Sequence, residues 1–201
     1  MRCFSYIVAR DYGFAPNPFH GFCTLATCKP RIREAAQVGD WVFGLSPIAN
    51  GNKLIYAMKV TEKITFNEYW NNKNYECKKP ALNGSLITMY GDNIYHQNKA
   101  DEWIQADSHH SYENGETNLL NLKTDTSSEF VLLSDEFYYF GSKSIEIPLG
   151  LKEKFTVIRN HRNIDEKDGQ LVIDFLEKNY EVGIIEFPNN FSKFERYKGV
   201  D

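Results

Sequence analysis

Two stretches of this chain concentrate side chains that can hold or transform a ligand. Between positions 10 and 33 fall Arg10, Asp11, Tyr12, Asn17, Phe19, Thr24, Lys29, Arg31 and Arg33. An aromatic ring can stack on a nucleobase, an amide can pair with a base edge, and Lys and Arg can hold a phosphate. The plain alternative is an ordinary loop followed by a charged helix face. The second stretch holds Asp92, Asn93, Tyr95 and His96, then Gln105, Asp107, Ser108, His109 and His110. Carboxylates and imidazoles in this number suit proton transfer, with Asp92, His96, Asp107 and His109 as the catalytic candidates. They equally suit the polar wall of a ligand pocket. No spacing among them matches an established metal motif, and adjacent His109 and His110 would point to opposite faces of a strand. No metal and no cofactor is therefore expected. Ser46, Ser108 and Cys28 are available nucleophiles, but nothing in their spacing marks a triad. Trp41 follows a Gly39-Asp40 turn and can either face a base or pack in the core.

These residues must be positioned by short elements. Residues 3–9 read as a buried strand, and 11–21, with two Pro and two Gly, as a loop. Residues 22–27 suit a short strand and 29–37 a short helix with Pro30 in its first turn. Strands are expected over 41–45 and 54–61. Thr65 and Glu68 form a capping box that starts a helix reaching 70–72. Residues 73–85 read as loop, 86–90 as a strand, and 91–93 as a turn. The polar stretch 97–129 has apolar patches only at Trp103-Ile104 and Leu119-Leu120. Polar segments of this length are usually functional or mobile. Strands follow at 129–134 and 137–141. Leu171, Val172, Phe175 and Leu176 recur at helical spacing within a helix over 166–179. Residues 184–187 suit a last extended segment, and the final ten are expected to fray.

Short strands without alternating long helices argue against a doubly wound sheet. The pattern fits an α+β fold, a small and mostly antiparallel barrel with short peripheral helices. Neither a glycine-rich phosphate loop nor a Gly-x-Ser-x-Gly elbow is present.

The 201 residues suit one domain, and their net charge of −4 argues against gripping long duplex DNA by charge alone. The charge is uneven. Residues 1–63 carry eight Lys/Arg against four Asp/Glu, and residues 64–201 carry fifteen against twenty-three. Cys3, Cys23, Cys28 and Cys77 read as free thiols. No apolar run reaches the roughly 18 residues of a membrane span. A cytoplasmic location and no membrane partner are expected.

Longer strings are more specific. Gly39-Asp40-Trp41-Val42-Phe43-Gly44 with Leu54-Ile55-Tyr56-Ala57-Met58-Lys59-Val60 resembles the core of PUA-like domains, the superfamily of the EVE, ASCH and YTH domains. The runs 9–19, 23–33, 91–96 and 107–111 resemble the second of the nucleotide modification associated domain families, also described as DNA base hypermodification proteins. The resemblance covers roughly residues 3–145, with 146–201 as a C-terminal extension that carries the helix at 166–179 and packs on the same domain. It implies a PUA-like barrel with a pocket between the 10–33 segment, the Trp41 strand and the 92–110 segment. It also implies recognition of a nucleobase or nucleotide, a modified one, in DNA modification or phage defence. Nucleic acid, DNA above all, is the expected partner, beside proteins of a modification system. The rivals are an enzyme that alters such a base through its Asp and His residues, and a non-catalytic interaction subunit.

Overall fold

In a computed structural model, residues 1–158 and 160–199 are described. The first strand, β1 (Cys3–Ile7), is buried on both faces. Cys3 joins one core, while Phe4, Tyr6 and the following Val8 join another. That is the period-two division expected of a central strand.

The chain continues through β2 (Cys23–Leu25), α1 (Pro30–Ala35), β3 (Trp41–Leu45), β4 (Leu54–Lys59), β5 (Glu62–Thr65) and α2 (Phe66–Asn71). Next come α3 (Leu86–Met89), β6 (Tyr95–Gln97), β7 (Trp103–Gln105), α4 (Leu119–Asp125), β8 (Phe130–Ser134) and β9 (Phe137–Tyr139). The last elements are α5 (Lys152–Phe155), β10 (His161–Ile164), α6 (Glu166–Asn179) and β11 (Gly183–Ile184). Six strands form one mixed sheet in the order β10-β1-β3-β4-β9-β11, in which β1–β3 and β9–β11 run parallel. The strands β2-β8-β5 form a second, antiparallel sheet, and β6-β7 a hairpin of their own.

The α+β class holds, but the strands of the described residues form open sheets. A barrel closes when its first and last strands pair. Here the large sheet ends at β10 and β11, which do not pair with each other, and β2-β8-β5 stands as a separate ladder.

Helix α6 covers the core that contains Cys3, Trp41, Phe43 and Tyr138. A side chain at Gly169 would lie 2.4 Å from Cys3 Sγ, so glycine lets α6 settle on β1. The opposite face of the sheet packs β2 and α1 through Leu25 and Ile32. A third core joins Phe14, Phe66, Tyr69, Tyr90, Ile94 and Tyr95 around the hairpin.

Three local expectations are corrected. Residues 86–90 form one helical turn rather than a strand, closed by Met89 N to Ser85 O and Tyr90 N to Leu86 O at 2.8 and 3.0 Å. Four apolar residues interrupted by Thr88 carry too little periodicity to separate the two. The polar stretch 97–129 contains β7 and α4. Asn118 starts α4 by accepting from Leu120 N and Asn121 N. The C-terminal segment does not fray over 192–199, and the last two positions lie outside the described residues. Glu195 N donates to Tyr90 Oη at 3.0 Å and Tyr197 N to His109 O at 2.7 Å.

Candidate active site

Beyond β1 the chain leaves the sheet at Val8, whose N–H still donates to Leu45 O at 2.8 Å. It then borders a cleft of about 260 Å³. Tyr6, Tyr12, Phe14 and Tyr197 bring aromatic surface to this cleft, and Arg10 and Lys29 bring positive charge. The Lys29 ammonium lies 5.1 Å from the Tyr6 ring centroid, and the Arg10 guanidinium 5.9 Å from that of Tyr197. Cys28, His110, Asn121, Thr124 and Asp125 line it as well. Helix α4 supplies the last three from one face, at the i, i+3 and i+4 spacing of neighbours on a helix.

Three of these side chains stand in line. Cys28 Sγ lies 4.0 Å from His110 Nε2. His110 Nδ1 lies 2.8 Å from Asp125 Oδ2. Tyr95 Oη donates to the same carboxylate oxygen at 2.9 Å, and Cys28 N donates to Asp125 Oδ1 at 2.7 Å. His110 and Asp125 are almost fully buried, and Cys28 is half-buried on the cleft side. Burial works against a charge on His110, but the Asp125 carboxylate outweighs it and lifts the imidazole to about 10. Burial would raise Asp125, but the His110 charge and its hydrogen bond, then Arg33, hold it below the usual carboxylate range. The pair is an imidazolium–carboxylate at neutral pH.

The backbone at Cys28 is held in an uncommon shape. Cys28 and Lys29 have φ of 57° and 41°, left-handed values that non-glycine residues seldom adopt. Both backbone groups of Cys28 are fixed: its N–H by Asp125, and its carbonyl by Arg33 Nε at 2.9 Å. Arg33 is fully buried and also donates to the carbonyls of Asp125, Ser128 and Phe130. Strain of this kind persists where surrounding bonds over-determine it, and it gathers at functional sites.

His109 plays a different part. A turn, not a strand, carries the two histidines, so their rings lie 5.5 Å apart on the same side. His109 packs against Tyr12, Phe14 and Tyr90 at 4.9, 4.8 and 5.3 Å, and its Nδ1 bonds Glu195 O. Burial, then the His110 charge, drives it down to about 3. It is a neutral donor that fastens the C-terminal segment beside the cleft.

Of the residues singled out in the sequence, Arg10, Tyr12, Lys29, His109 and His110 meet at the cleft. Asp11, Arg33, Tyr95 and Ser108 stand behind it. Asp11 is buried, accepts from Tyr139 Oη and Asn189 N, and burial raises its carboxyl. The Ser108 carbonyl accepts from Arg196 at 2.7 Å.

The others lie elsewhere. Thr24 and Tyr69 donate to Asp92, while the buried Lys78 ammonium binds Asn17 Oδ1 at 2.8 Å and Thr24 Oγ1 at 3.3 Å. Asn93 ties down the carbonyls of Tyr69 and Tyr75. These four sequence candidates form a buried scaffold. Phe19 packs on Phe191, and Trp41 sits under α6 with Phe43 and Tyr138. His96 stacks on Trp70 at 4.0 Å, Arg31 is exposed on α1, and Asp107 pairs with Arg196 at 2.6 Å outside the cleft. Of the four acid–base candidates, only His109 lines the cleft, and its depressed basicity suits it poorly to take a proton. Among the described residues, no group of three metal-ligating side chains occurs and no helix is long and apolar enough to cross a membrane.

No motif in the sequence marks Tyr6, Asn121, Thr124, Asp125 or Tyr197, and Cys28 stands there only as one of several nucleophiles. Asn118 followed by an apolar-polar run was a legible helix start, and it would have placed Asp125 on an ordered element.

A family model described as nucleotide modification associated domain 2 matches residues 1–195, past the boundary at 145 drawn from the sequence. No curated protein and no solved structure matches the chain.

Proposed function

The chain belongs to the nucleotide modification associated domain 2 family, and from that premise we propose that its cleft binds a nucleobase or nucleotide, a modified base of DNA above all. A role in nucleotide modification follows from the family. The placement of the ligand rests on one observation: aromatic surface and two cations border a single cleft. Stacking on an aromatic face is worth about 1–3 kcal/mol per base. Arg10 and Lys29 add attraction for a phosphate. The volume of about 260 Å³ is near the lower end of small-molecule sites, so it suits one base with its sugar rather than a length of strand. A base lifted out of a duplex fits a chain of net charge −4 better than a broad phosphate-binding surface does.

Thermal denaturation with a panel of nucleosides, nucleotides and short single-stranded DNA tests this. A ligand at about a hundredfold excess over its Kd adds about 2.7 kcal/mol, enough to raise Tm by several degrees. Arg10→Ala should weaken a nucleotide more than its nucleoside, because only the nucleotide carries a phosphate. No shift with any member of the panel would refute the reading and favour an interaction subunit.

A further inference from the structure

The line Cys28–His110–Asp125 has the order and spacing of a nucleophile, a proton carrier and an orienting carboxylate. We propose that Cys28 is a catalytic nucleophile, with His110 as its acid–base partner and Asp125 as a positioning residue, acting on an amide or ester carbon carried by a nucleobase or nucleotide. The nucleotide part of this substrate rests on the binding reading above; the thiol chemistry does not.

Four observations carry it. The thiol faces the cleft, whereas Cys3 and Cys23 are buried and desolvation raises both. The sulfur stands 4.0 Å from His110 Nε2, with the other ring nitrogen on a carboxylate. A cation beside a thiol favours its thiolate, the reactive form. Residue 28 keeps a left-handed backbone fixed at its N–H and its carbonyl, which sets the sulfur against the imidazole. The orienting carboxylate is itself held: Gln105 Nε2 donates to Tyr95 Oη at 3.0 Å, and Tyr95 donates to Asp125.

The chemistry balances without a cofactor. The Cys28 thiolate adds to the carbonyl carbon, and the π pair moves to oxygen. As the carbonyl re-forms, the amine or alkoxide leaves with a proton from His110 Nε2, giving a thioester and neutral His110. That imidazole then takes a proton from water as the water oxygen attacks the thioester. Collapse releases a carboxylic acid and the thiolate beside imidazolium. The net change is hydrolysis of the amide or ester. Lys29, the next residue in the chain, adds positive charge at the same cleft.

Alkylation by iodoacetamide, followed cysteine by cysteine with mass spectrometry, tests the thiol directly and involves no nucleotide. Exposed Cys77 is the internal reference. At a single pH near neutrality Cys28 should react several-fold faster than Cys77, because a cation beside a thiol favours its reactive form. His110→Asn should slow Cys28 to the rate of Cys77 or below, and Asp125→Asn should slow it part of the way. The wild-type comparison needs no variant to fold: a Cys28 that reacts no faster than Cys77 overturns the proposal. With p-nitrophenyl acetate as acyl donor, Cys28 should be acetylated and the adduct should hydrolyse. A reactive Cys28 that is never acetylated would overturn the acyl class. A reactive, acylated Cys28 beside a failed nucleotide screen would leave the thiol chemistry standing and remove only the nucleotide.

Discussion

Asp125→Ala is expected to lower folding stability by about 3–5 kcal/mol, the range for removing one partner of a buried ion pair. The residue is 1% exposed and accepts from His110, Tyr95 and the Cys28 N–H. Alanine would leave the His110 ring without its counter-charge, Tyr95 Oη without its acceptor, and a left-handed residue without one of its two tethers. The imidazole would then shed its proton and fall from about 10 toward or below its ordinary value. Urea denaturation near pH 7 measures the loss. Asn keeps the shape and some of the hydrogen bonds but not the charge, so Asp125→Asn should fall between alanine and wild type. A value for alanine within about 1 kcal/mol of wild type would mean that the pair is solvated and its geometry is not holding the fold.

Acidification should destabilise the protein through His109. Its folded value of about 3 lies below the unfolded value near 6.5. The unfolded chain therefore binds a proton that the folded chain refuses, and stability falls with pH across that interval by about 1.4 kcal/mol for each unit. His110 is silent there. Its folded value is raised, so its contribution is whole below about 6.5 and is lost as pH rises toward about 10. Asp11 and Asp92, raised by burial, act in the opposite sense near their own range, so the clean measurement is a difference. His109→Phe keeps a ring among Tyr12, Phe14 and Tyr90 and gives up the bond to Glu195 O. Losing that bond is an offset that does not depend on pH. The variant should show a flatter decline than wild type between pH 6.5 and 4.5, by about 2–3 kcal/mol over the range. Parallel profiles would show that His109 is protonated in the folded state.

Elements whose signals are local were legible. The apolar runs of β1, β3, β4 and β8 marked themselves, the Thr65–Glu68 capping box marked α2, and helical spacing marked α6. Helix α3 was misread because four apolar residues fit either period. Among the described residues the sheets stay open, for a reason no single strand displays: closure depends on which edges meet. The site was half legible. Arg10, Tyr12, Lys29, His109 and His110 drew notice by residue type, but so did Asn17, Thr24, Asp92 and Asn93, which form a buried polar scaffold around Lys78. Type alone cannot say whether a polar group faces a cleft or satisfies a neighbour in the core. The line through Cys28 was hidden for another reason. Cys28 and His110 are 82 positions apart, and Cys28 and Asp125 are 97 apart. Contacts at such separations leave no periodic trace. The C-terminal segment was misjudged likewise: its charged residues suggested fraying, yet Glu195, Arg196 and Tyr197 find partners on Tyr12, Ser108 and His109.

A nucleotide that occupies the cleft must cover Cys28, because that thiol lines it together with Arg10, Lys29 and Tyr197. The most direct measurement is the rate at which iodoacetamide alkylates Cys28 with and without each nucleoside monophosphate, natural and base-modified, read by mass spectrometry. At a concentration about ten times its Kd, a ligand leaves about a tenth of the clefts open. The expected result is a slowing of Cys28 by about tenfold with Cys77 unchanged. Nucleotides that raise Tm yet leave the rate at Cys28 unaltered would place the binding site elsewhere on the molecule and contradict the assignment of this cleft.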